Sequence, residues 1–154
     1  MMNIPARRRF ISVLAGLAAA PLVPARAARG QPADPFSELV RGITGGAPVS
    51  PGRVTVDTPR LADNGHSVPL RVSVDSPMTA ASHVRSITLL SERNPRPVMA
   101  TFHLGPKAGR PELATRVRLN GTQRILAVAQ LSDGSYWSGS AEVEVTESAC
   151  LDAT

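Results

Sequence analysis

Cys150 is the residue whose chemistry stands out, because it is the only cysteine among 154 residues. As a thiolate, a cysteine is a nucleophile that can hold a substrate covalently. A lone thiol has no internal partner for a disulfide, and an exposed thiol is liable to overoxidation. Cys150 follows the last predicted strand by about four residues, a reach of up to ~13 Å. This position favours a functional thiol that can enter another protein's pocket over a stray exposed cysteine.

The other residues that could do chemistry are not spaced as a site. His66, His83 and His103 do not form metal-ligand pairs, and strand parity places His103 on a solvent face. No glycine-rich loop follows a strand and opens a helix, and no serine lies in a nucleophile elbow. The acidic residues are dispersed rather than paired for acid and base catalysis. We therefore predict no metal, no cofactor and no catalytic residue in this chain.

The first 27 residues have the three parts of an export signal, namely a basic start, an apolar stretch and a cleavage site at Ala25-Arg26-Ala27. The segment Arg7-Arg8-Arg9-Phe10-Ile11 fits the twin-arginine pattern, and an ordinary secretory leader is the alternative. The apolar stretch is too short to span a membrane. We predict a twin-arginine signal over residues 1–27, cleavage after Ala27, and a periplasmic protein that leaves the membrane after cleavage.

The basic character of the chain comes from this leader. The sequence has 17 basic and 12 acidic residues, a net charge of +5. Four of the basic residues and none of the acidic ones lie in residues 1–27, which leaves a net charge of +1 for the remainder. The other arginines are scattered and have no aromatic platform beside them. The charge pattern therefore does not favour nucleic acid as a partner.

Residues 28–52 are predicted to be a linker followed by a short helix. Asp34 can cap the helix, and Gly45-Gly46 can end it. Apolar residues recur at spacings of three and four, which is typical of a one-sided helix. This face either covers the end of a sheet or offers a contact to a partner. It consists of Phe36, Leu39, Val40 and Ile43.

Residues 53–146 change to a period of two, which is typical of half-buried strands separated by turn residues. Seven short strands without helical periodicity between them predict an all-β, immunoglobulin-like two-sheet sandwich, with a small barrel as the alternative. A flexible C-terminal tail is predicted over residues 147–154. The predicted strands are Arg53–Asp57, Ser67–Asp75, His83–Ser91, Val98–Leu104, Leu113–Leu119, Thr122–Leu131 and Trp137–Thr146.

Parity within these strands indicates which side chains face the core. A change of parity between Val84 and Ile87 indicates a bulge in the third strand. Thr122–Leu131 is the most continuously apolar run, as expected of a central strand. In the fourth strand the predicted inward face consists of Val98, Ala100, Phe102 and Leu104.

Several turn and strand segments are weak one by one but specific in their order and spacing. They are Ala62-Asp63-Asn64-Gly65, Val68-Pro69-Leu70, Val74-Asp75-Ser76-Pro77-Met78, Asn94-Pro95-Arg96-Pro97, Ala100-Thr101-Phe102, Gly105-Pro106, Thr115-Arg116-Val117-Arg118-Leu119, Thr122-Gln123 and Ser132-Asp133-Gly134-Ser135. With these segments and its leader, the chain resembles SoxY, the sulfur-carrier subunit of the exported thiosulfate-oxidising Sox system. The resemblance runs from the leader to about Thr146.

The resemblance implies a carrier subunit rather than an enzyme. SoxY-like proteins pair with SoxZ, and a cysteine near the SoxY C-terminus holds the sulfur substrate covalently. Separate Sox enzymes attach thiosulfate, hydrolyse off sulfate and oxidise the remaining sulfur. By position, Cys150 is the attachment residue. We therefore expect a periplasmic sulfur-compound carrier that forms a heterodimer with a SoxZ-like subunit.

The tail departs from the family pattern, which ends Gly-Gly-Cys-Gly-Gly. Residues 147–154 read Glu-Ser-Ala-Cys-Leu-Asp-Ala-Thr and contain no glycine. Glu147 and Asp152 place carboxylates near the sulfur, which disfavours the thiolate. One alternative is a SoxY-derived subunit that binds a SoxZ-like partner without carrying sulfur. An independent thiol enzyme is less favoured, because no histidine or arginine lies near the tail in sequence.

Overall fold

The computed structural model describes residues 34–149, which form one helix and nine strands. The predicted export signal and the segment 150–154 lie outside the described residues. No helix in the described part is long and apolar enough to cross a membrane. The elements are α1 (Ser37–Thr44), β1 (Val49–Pro51), β2 (Val54–Asp57), β3 (Leu61–Asn64), β4 (Val68–Val74), β5 (Val84–Ser91), β6 (Val98–His103), β7 (Glu112–Val117), β8 (Gln123–Leu131) and β9 (Tyr136–Glu147).

The strands form two sheets that enclose one core, as the period-two pattern predicts. The larger sheet has the order β1-β9-β8-β5-β6, and β3 pairs with β9 beside this path. The smaller sheet has the order β2-β4-β7. β1 and β3 run parallel to β9, whereas the other pairs are antiparallel. The predicted all-β, immunoglobulin-like sandwich is confirmed.

The core between the sheets is mainly aliphatic. Side chains alternate along each strand, so that one face of the strand is turned inward. In β4, Leu70 and Val72 are at most 2% exposed. In the larger sheet, Ile87, Leu89 and Ile125 are fully buried. Branched aliphatic side chains thus fill the space that aromatic residues occupy in many sandwiches.

Helix α1 packs on the outer face of the larger sheet. Phe36, which is 1% exposed, forms a second apolar cluster with Leu90 and Val128. The Asp34 carboxylate accepts a hydrogen bond of 3.2 Å from the Phe36 amide, and Gly45 ends the helix in the left-handed region at φ 64°. Of the two alternatives that the sequence left open, the helix face covers the chain's own sheet.

All seven predicted strands occur, with ends that differ by a few residues. β8 is central, between β5 and β9, and the predicted bulge appears as a register shift between Val84 and Ser86. The sequence pattern missed β1, within the predicted linker region, and β3. These strands have three and four residues, too few to show a period.

The inward orientation predicted for Val98 is wrong. The register between β5 and β6 shifts between Leu89 and Leu90, so that Met99 packs against the core and Val98 is 44% exposed. A one-residue bulge transfers the residues beyond it to the opposite face. Phe102 and Leu104, beyond the shift, do pack against the core.

Candidate functional site at the tail root

The predicted attachment residue, Cys150, lies outside the described residues, so the structure bears on it through the segment that leads into it. We call residues 147–149 the tail root. β9 continues to Glu147, and hydrogen bonding continues to Ala149. The last strand was predicted to end near Thr146, about four residues before Cys150, and β9 ends one residue later, at Glu147.

Two backbone hydrogen bonds tie the tail root to the domain, and a third joins the two residues that hold it. The Gly65 amide donates to the Glu147 carbonyl at 2.7 Å. The Ala149 amide donates to the Leu119 carbonyl at 3.1 Å, and the Leu119 amide donates to the Gly65 carbonyl at 2.9 Å. The tail root is therefore held between the turn that follows β3 and the loop that follows β7.

Gly65 allows this close approach because it lacks a side chain. A β-carbon at position 65 would lie 2.1 Å from the Leu119 carbonyl oxygen and 3.1 Å from the Ala149 nitrogen. The preceding Asn64 shapes the turn, since its side-chain oxygen accepts a hydrogen bond of 3.2 Å from the His66 amide. The segment Ala62–Gly65 therefore has a structural reason to carry Asn followed by Gly.

A side-chain network holds the loop on which the tail root rests. The Asn94 side chain donates to the Arg118 carbonyl at 2.8 Å and accepts from the Asn120 amide at 2.9 Å. It also accepts from the side chain of Gln123, which is only 4% exposed, at 3.1 Å. The Ser148 hydroxyl donates to the Asn120 side-chain oxygen at 2.6 Å. The network thus joins the tail root to the loop between β7 and β8.

Sequence reasoning did not assign roles to Gly65, Asn94, Asn120 or Ser148 in positioning the tail. The signal was partly present, because Gly65 and Asn94 belong to the segments that carry the family resemblance. A histidine and an arginine also flank the anchors, since His66 follows Gly65 and Arg118 precedes Leu119 in the chain. Both side chains are exposed. The tail root is thus held by two segments, each of which carries a histidine or an arginine. Both of these residues are distant from the tail root in sequence.

The remaining candidate residues lie elsewhere. His103 is exposed, and the Nδ1 atom of His83 lies 3.1 Å from the Thr79 carbonyl oxygen. Within residues 34–149, no group of three or more His, Cys, Asp or Glu residues could hold a metal ion. Hydrogen bonds from the Ser135 hydroxyl and amide lower the pKa of Asp133 in the turn between β8 and β9. This turn is at the opposite end of β9 from the tail root.

The fold and the tail root define a class of protein. It is an immunoglobulin-like sandwich in which the residues that follow the last strand are hydrogen-bonded to the domain. The family described as sulfur oxidation protein SoxY matches residues 40–150. The match covers more than half of the chain, and Cys150 is its last residue. The chain belongs to the family of sulfur oxidation protein SoxY.

Solved structures share the fold. The sulfur carrier protein SoxY from Chlorobium limicola f thiosulfatophilum has a TM-score of 0.61 and 23% identity, over 71% of this chain and 90% of that one. A superoxide reductase (neelaredoxin) from Ignicoccus hospitalis has a TM-score of 0.55 and 20% identity, over 61% and 80% of the two chains. A putative superoxide reductase from Thermotoga maritima has a TM-score of 0.52 and 17% identity, over 64% and 95%. No curated protein matches the sequence. At these identities the structural likenesses show the fold alone.

Proposed function

We propose that this chain is a periplasmic carrier of sulfur compounds in thiosulfate oxidation, which holds its substrate covalently on Cys150. The observation that carries the proposal is the SoxY match over residues 40–150, which ends on the only cysteine of the chain. The chain itself is not the enzyme in this proposal. Partner enzymes attach, cleave and oxidise the bound sulfur while the carrier presents it.

The chemistry at Cys150 consists of an oxidation followed by a hydrolysis. Joining the cysteine sulfur to the terminal sulfur of thiosulfate releases the thiol proton and two electrons, which the attaching enzyme must accept. Hydrolysis then places a water-derived oxygen on the sulfonate sulfur, so that sulfate leaves and a persulfide remains on Cys150. Further oxidation of that persulfide belongs to another partner enzyme. The carrier has to supply only a nucleophilic sulfur and access to it.

The anchored tail root gives a reason for the departure from the glycine-rich family tail. Two glycines precede the cysteine in the family pattern, and Ser148 and Ala149 stand at those positions here. The Ser148 hydroxyl donates to Asn120 and the Ala149 amide donates to Leu119, so both positions fix the chain rather than loosen it. We propose that this carrier presents Cys150 close to the domain surface, and that partner enzymes approach the end of the sandwich.

A SoxZ-like subunit is the proposed heterodimer partner. The apolar face of α1 is already used, because Phe36 packs against Leu90 and Val128. The open edges of the sheets therefore remain as candidate contacts. Co-expression with a SoxZ-like protein, followed by size-exclusion chromatography with light scattering, should give a one-to-one complex. A chain that stays monomeric in the presence of that subunit contradicts the pairing.

Export by the twin-arginine route is proposed from the leader, and it predicts a dependence on the paired arginines. Replacement of Arg7 and Arg8 by lysine should leave the uncleaved chain in the cytoplasm, as measured by cell fractionation and immunoblotting. Replacement of Arg26 by lysine, outside the pattern, is the matched control and should not block export. Normal export of the Arg7→Lys, Arg8→Lys chain would exclude the twin-arginine route.

Intact-mass measurement tests the carrier function. Protein purified without reductant from cells that oxidise thiosulfate should carry thiosulfonate or sulfane adducts, and the Cys150→Ser variant should carry none. Ser148→Ala is a matched control in the same tail, since it removes a hydroxyl but leaves the thiol in place. Unmodified protein in actively oxidising cells would refute the proposal.

The alternative is a SoxY-derived subunit that binds a SoxZ-like partner and carries no sulfur. It is favoured by the hydrogen bonds that anchor Glu147 and Ala149 to the domain, and by the acidic Glu147 three residues before Cys150 in the sequence. A Cys150→Ser strain distinguishes the two functions. If that strain oxidises thiosulfate at the normal rate, the chain is an interaction subunit, whereas loss of oxidation with an intact SoxZ-like complex indicates a carrier.

A further inference from the structure

The smaller sheet has an open edge at β7. Its strand order is β2-β4-β7, so β7 pairs with β4 on one side and with no strand of the described residues on the other. The opposite side of this sheet is covered, because β2 lies against β9. A β-carbon on Gly139 of β9 would be only 2.0 Å from the Val54 carbonyl oxygen of β2. An open strand edge such as that of β7 is a template for pairing with a further strand.

β7 lacks the features that usually protect a sheet edge, which are prolines, bulges and inward-pointing charges. Its six residues include no proline, and its register with β4 continues without a shift from Glu112 to Val117. By contrast, β6 at the edge of the larger sheet follows Pro97, and its register with β5 shifts between Leu89 and Leu90. β7 is therefore the edge that is better suited to strand pairing.

The direction of the backbone groups determines which residues of β7 a second strand can bond. The Val74 amide donates to the Pro111 carbonyl at 3.0 Å, so the backbone groups of Pro111 face β4. Successive residues of a strand direct their backbone groups to opposite sides. Every second residue of β7 therefore directs its amide and carbonyl toward the open edge. These residues are Glu112, Ala114 and Arg116.

The side chains of the same three residues match a two-fold arrangement. All three are exposed, on the outer face of the sandwich. If two β7 strands pair in antiparallel orientation about Ala114, Glu112 of each copy lies opposite Arg116 of the other. The symmetry forms this ion pair twice, and opposite charges directly across an antiparallel pair stabilise it. The small Ala114 side chains meet at the centre, where they do not obstruct the approach.

We propose that β7 pairs with β7 of a second copy of this chain, about a two-fold axis at Ala114. The two three-stranded sheets then form one continuous antiparallel sheet. The amide and carbonyl of Ala114 bond those of Ala114 in the second copy, and the Arg116 amide donates to the Glu112 carbonyl across the axis. The Glu112 amide is not needed for this pairing, since it already donates to the Arg110 carbonyl at 2.9 Å.

An apolar contact accompanies the backbone pairing. A cleft of about 280 Å³ lies beside the β7 edge, and Val98, which is 44% exposed, is part of its lining. Leu113 alternates with the pairing residues, so its side chain is turned toward the space between the sheets, where it is half-buried against the core. In the paired register, Leu113 of the second copy lies opposite Thr115, another residue of the lining. The second copy thus brings an apolar side chain to the mouth of the cleft.

The dimer should be weak and reversible, because one short strand from each copy makes a contact at the low end of interface sizes, below about 1,200 Å². It leaves the edge of β6 open to the proposed SoxZ-like subunit. The pairing requires neither Cys150 nor a sulfur substrate. Self-association and the proposed carrier function can therefore fail independently.

Sedimentation velocity of the purified chain measures the pairing, with reductant present to prevent dimers linked by a disulfide at Cys150. The chain should show a monomer–dimer equilibrium that depends on its concentration. Glu112→Arg should weaken the association by at least about tenfold, because like charges then face each other. Glu142→Arg, on the exposed face of β9, changes the net charge equally and is the matched control, which should associate as the unaltered chain does. An unaltered chain that stays monomeric even at the concentrations used for NMR would overturn the proposal.

A charge exchange tests the register. Glu112→Arg leaves two cations at the edge, and Arg116→Glu leaves two anions, so neither variant should associate with itself. An equimolar mixture of the two variants should form a mixed dimer, since every cation then faces an anion. Thermal unfolding checks that both variants are folded, because Glu112 also forms an ion pair with Arg71. Two folded variants that do not associate in the mixture would contradict the pairing of Glu112 with Arg116.

The Ala114 amide gives a second readout that needs no change of charge. Its hydrogen should exchange slowly in the dimer and quickly after dilution to monomer. Ala114→Pro removes this amide hydrogen and should leave a folded monomer, because proline is tolerated on an edge strand where the amide does not bond a neighbour. An Ala114 amide that exchanges quickly at every concentration would overturn the proposal. Protection that appears only when a SoxZ-like subunit is added would assign the edge to that subunit and would equally overturn it.

Discussion

Gly65 and Leu119 lie so close together that a β-carbon on Gly65 would be 2.1 Å from the Leu119 carbonyl oxygen. That same oxygen accepts the hydrogen bond from Ala149, the residue before Cys150. The contact therefore couples the turn after β3 directly to the point where the tail leaves the domain. A change of one side chain at position 65 should alter both the stability of the sandwich and the anchoring of the tail.

Replacing Gly65 with alanine should destabilise the protein by about 1–3 kcal/mol, because the new methyl group has to displace backbone rather than a flexible side chain. The Ala149 amide should also exchange its hydrogen faster, since the Leu119 carbonyl moves away. Urea unfolding and amide hydrogen exchange measure the two effects.

Two other glycines serve as controls for this substitution. Gly105→Ala should cost little, because no atom lies within 4 Å of the added β-carbon. Gly139→Ala should destabilise the domain, since its β-carbon would lie 2.0 Å from the Val54 carbonyl oxygen, but should leave Ala149 exchange unchanged relative to overall stability. An Ala149 amide that is equally protected in Gly65→Ala and in the unaltered chain would contradict the proposed anchor.

Loss of the Asn94 side chain should break the network beneath the tail root. Asn94→Ala leaves the nearly buried Gln123 side chain without one of its partners, at a cost of about 1–3 kcal/mol. Asn94→Asp keeps an acceptor for Asn120 and Gln123 but loses the donor to Arg118, so its destabilisation should be smaller. Urea unfolding of both variants checks this order, and an Asp variant less stable than the Ala variant would refute this division of roles.

The packing of α1 on its own sheet predicts a large effect at Phe36. Phe36→Ala should destabilise the domain by about 3–5 kcal/mol through the lost contacts with Leu90 and Val128. The 57% exposed Leu61 provides the control, since Leu61→Ala should change the unfolding free energy by less than about 0.5 kcal/mol. Equal, small effects at both positions would mean that α1 does not contribute to the folded core.

The turn between β8 and β9 should show a pH dependence that originates at Asp133. The Ser135 hydroxyl and amide lower the pKa of Asp133 from its ordinary 3.8, so ionised Asp133 favours folding above that value. This contribution disappears as the pH falls below 3.8 through the folded-state pKa. Ser135→Ala should raise the Asp133 midpoint in an NMR titration of its carboxyl carbon. An unchanged midpoint would exclude the hydroxyl as the main cause.

The elements that the sequence predicted correctly are those with a long enough pattern. β4 alternates over seven residues, and β8 is apolar over most of nine, so both were recognised from their side chains alone. The sequence did not predict β1 and β3, because their formation depends on pairing with β9, which is distant in sequence. The error at Val98 has a similar origin, since the shift between β5 and β6 is a property of two strands together.

In the candidate site, too, the sequence identified one part and missed another. Cys150 could be selected from the sequence because residue type and position alone distinguish it, and its role stays a prediction. The anchors could not be selected, because Gly65, Asn94 and Asn120 act through contacts between residues 24 to 82 positions apart. Their residue types are those of ordinary turns, and only the fold shows that the turns meet at the tail root.

The most direct test of the central claim follows labelled sulfur on Cys150 itself. Cells that oxidise thiosulfate are given a pulse of thiosulfate labelled with a heavy isotope at its terminal sulfur, and the C-terminal peptide is isolated without reductant for tandem mass spectrometry. The carrier function predicts label on Cys150, first as a thiosulfonate and then as a persulfide, with loss of the label during a chase with unlabelled thiosulfate. A Cys150 peptide that stays unlabelled while the cells convert the labelled thiosulfate to sulfate would contradict it.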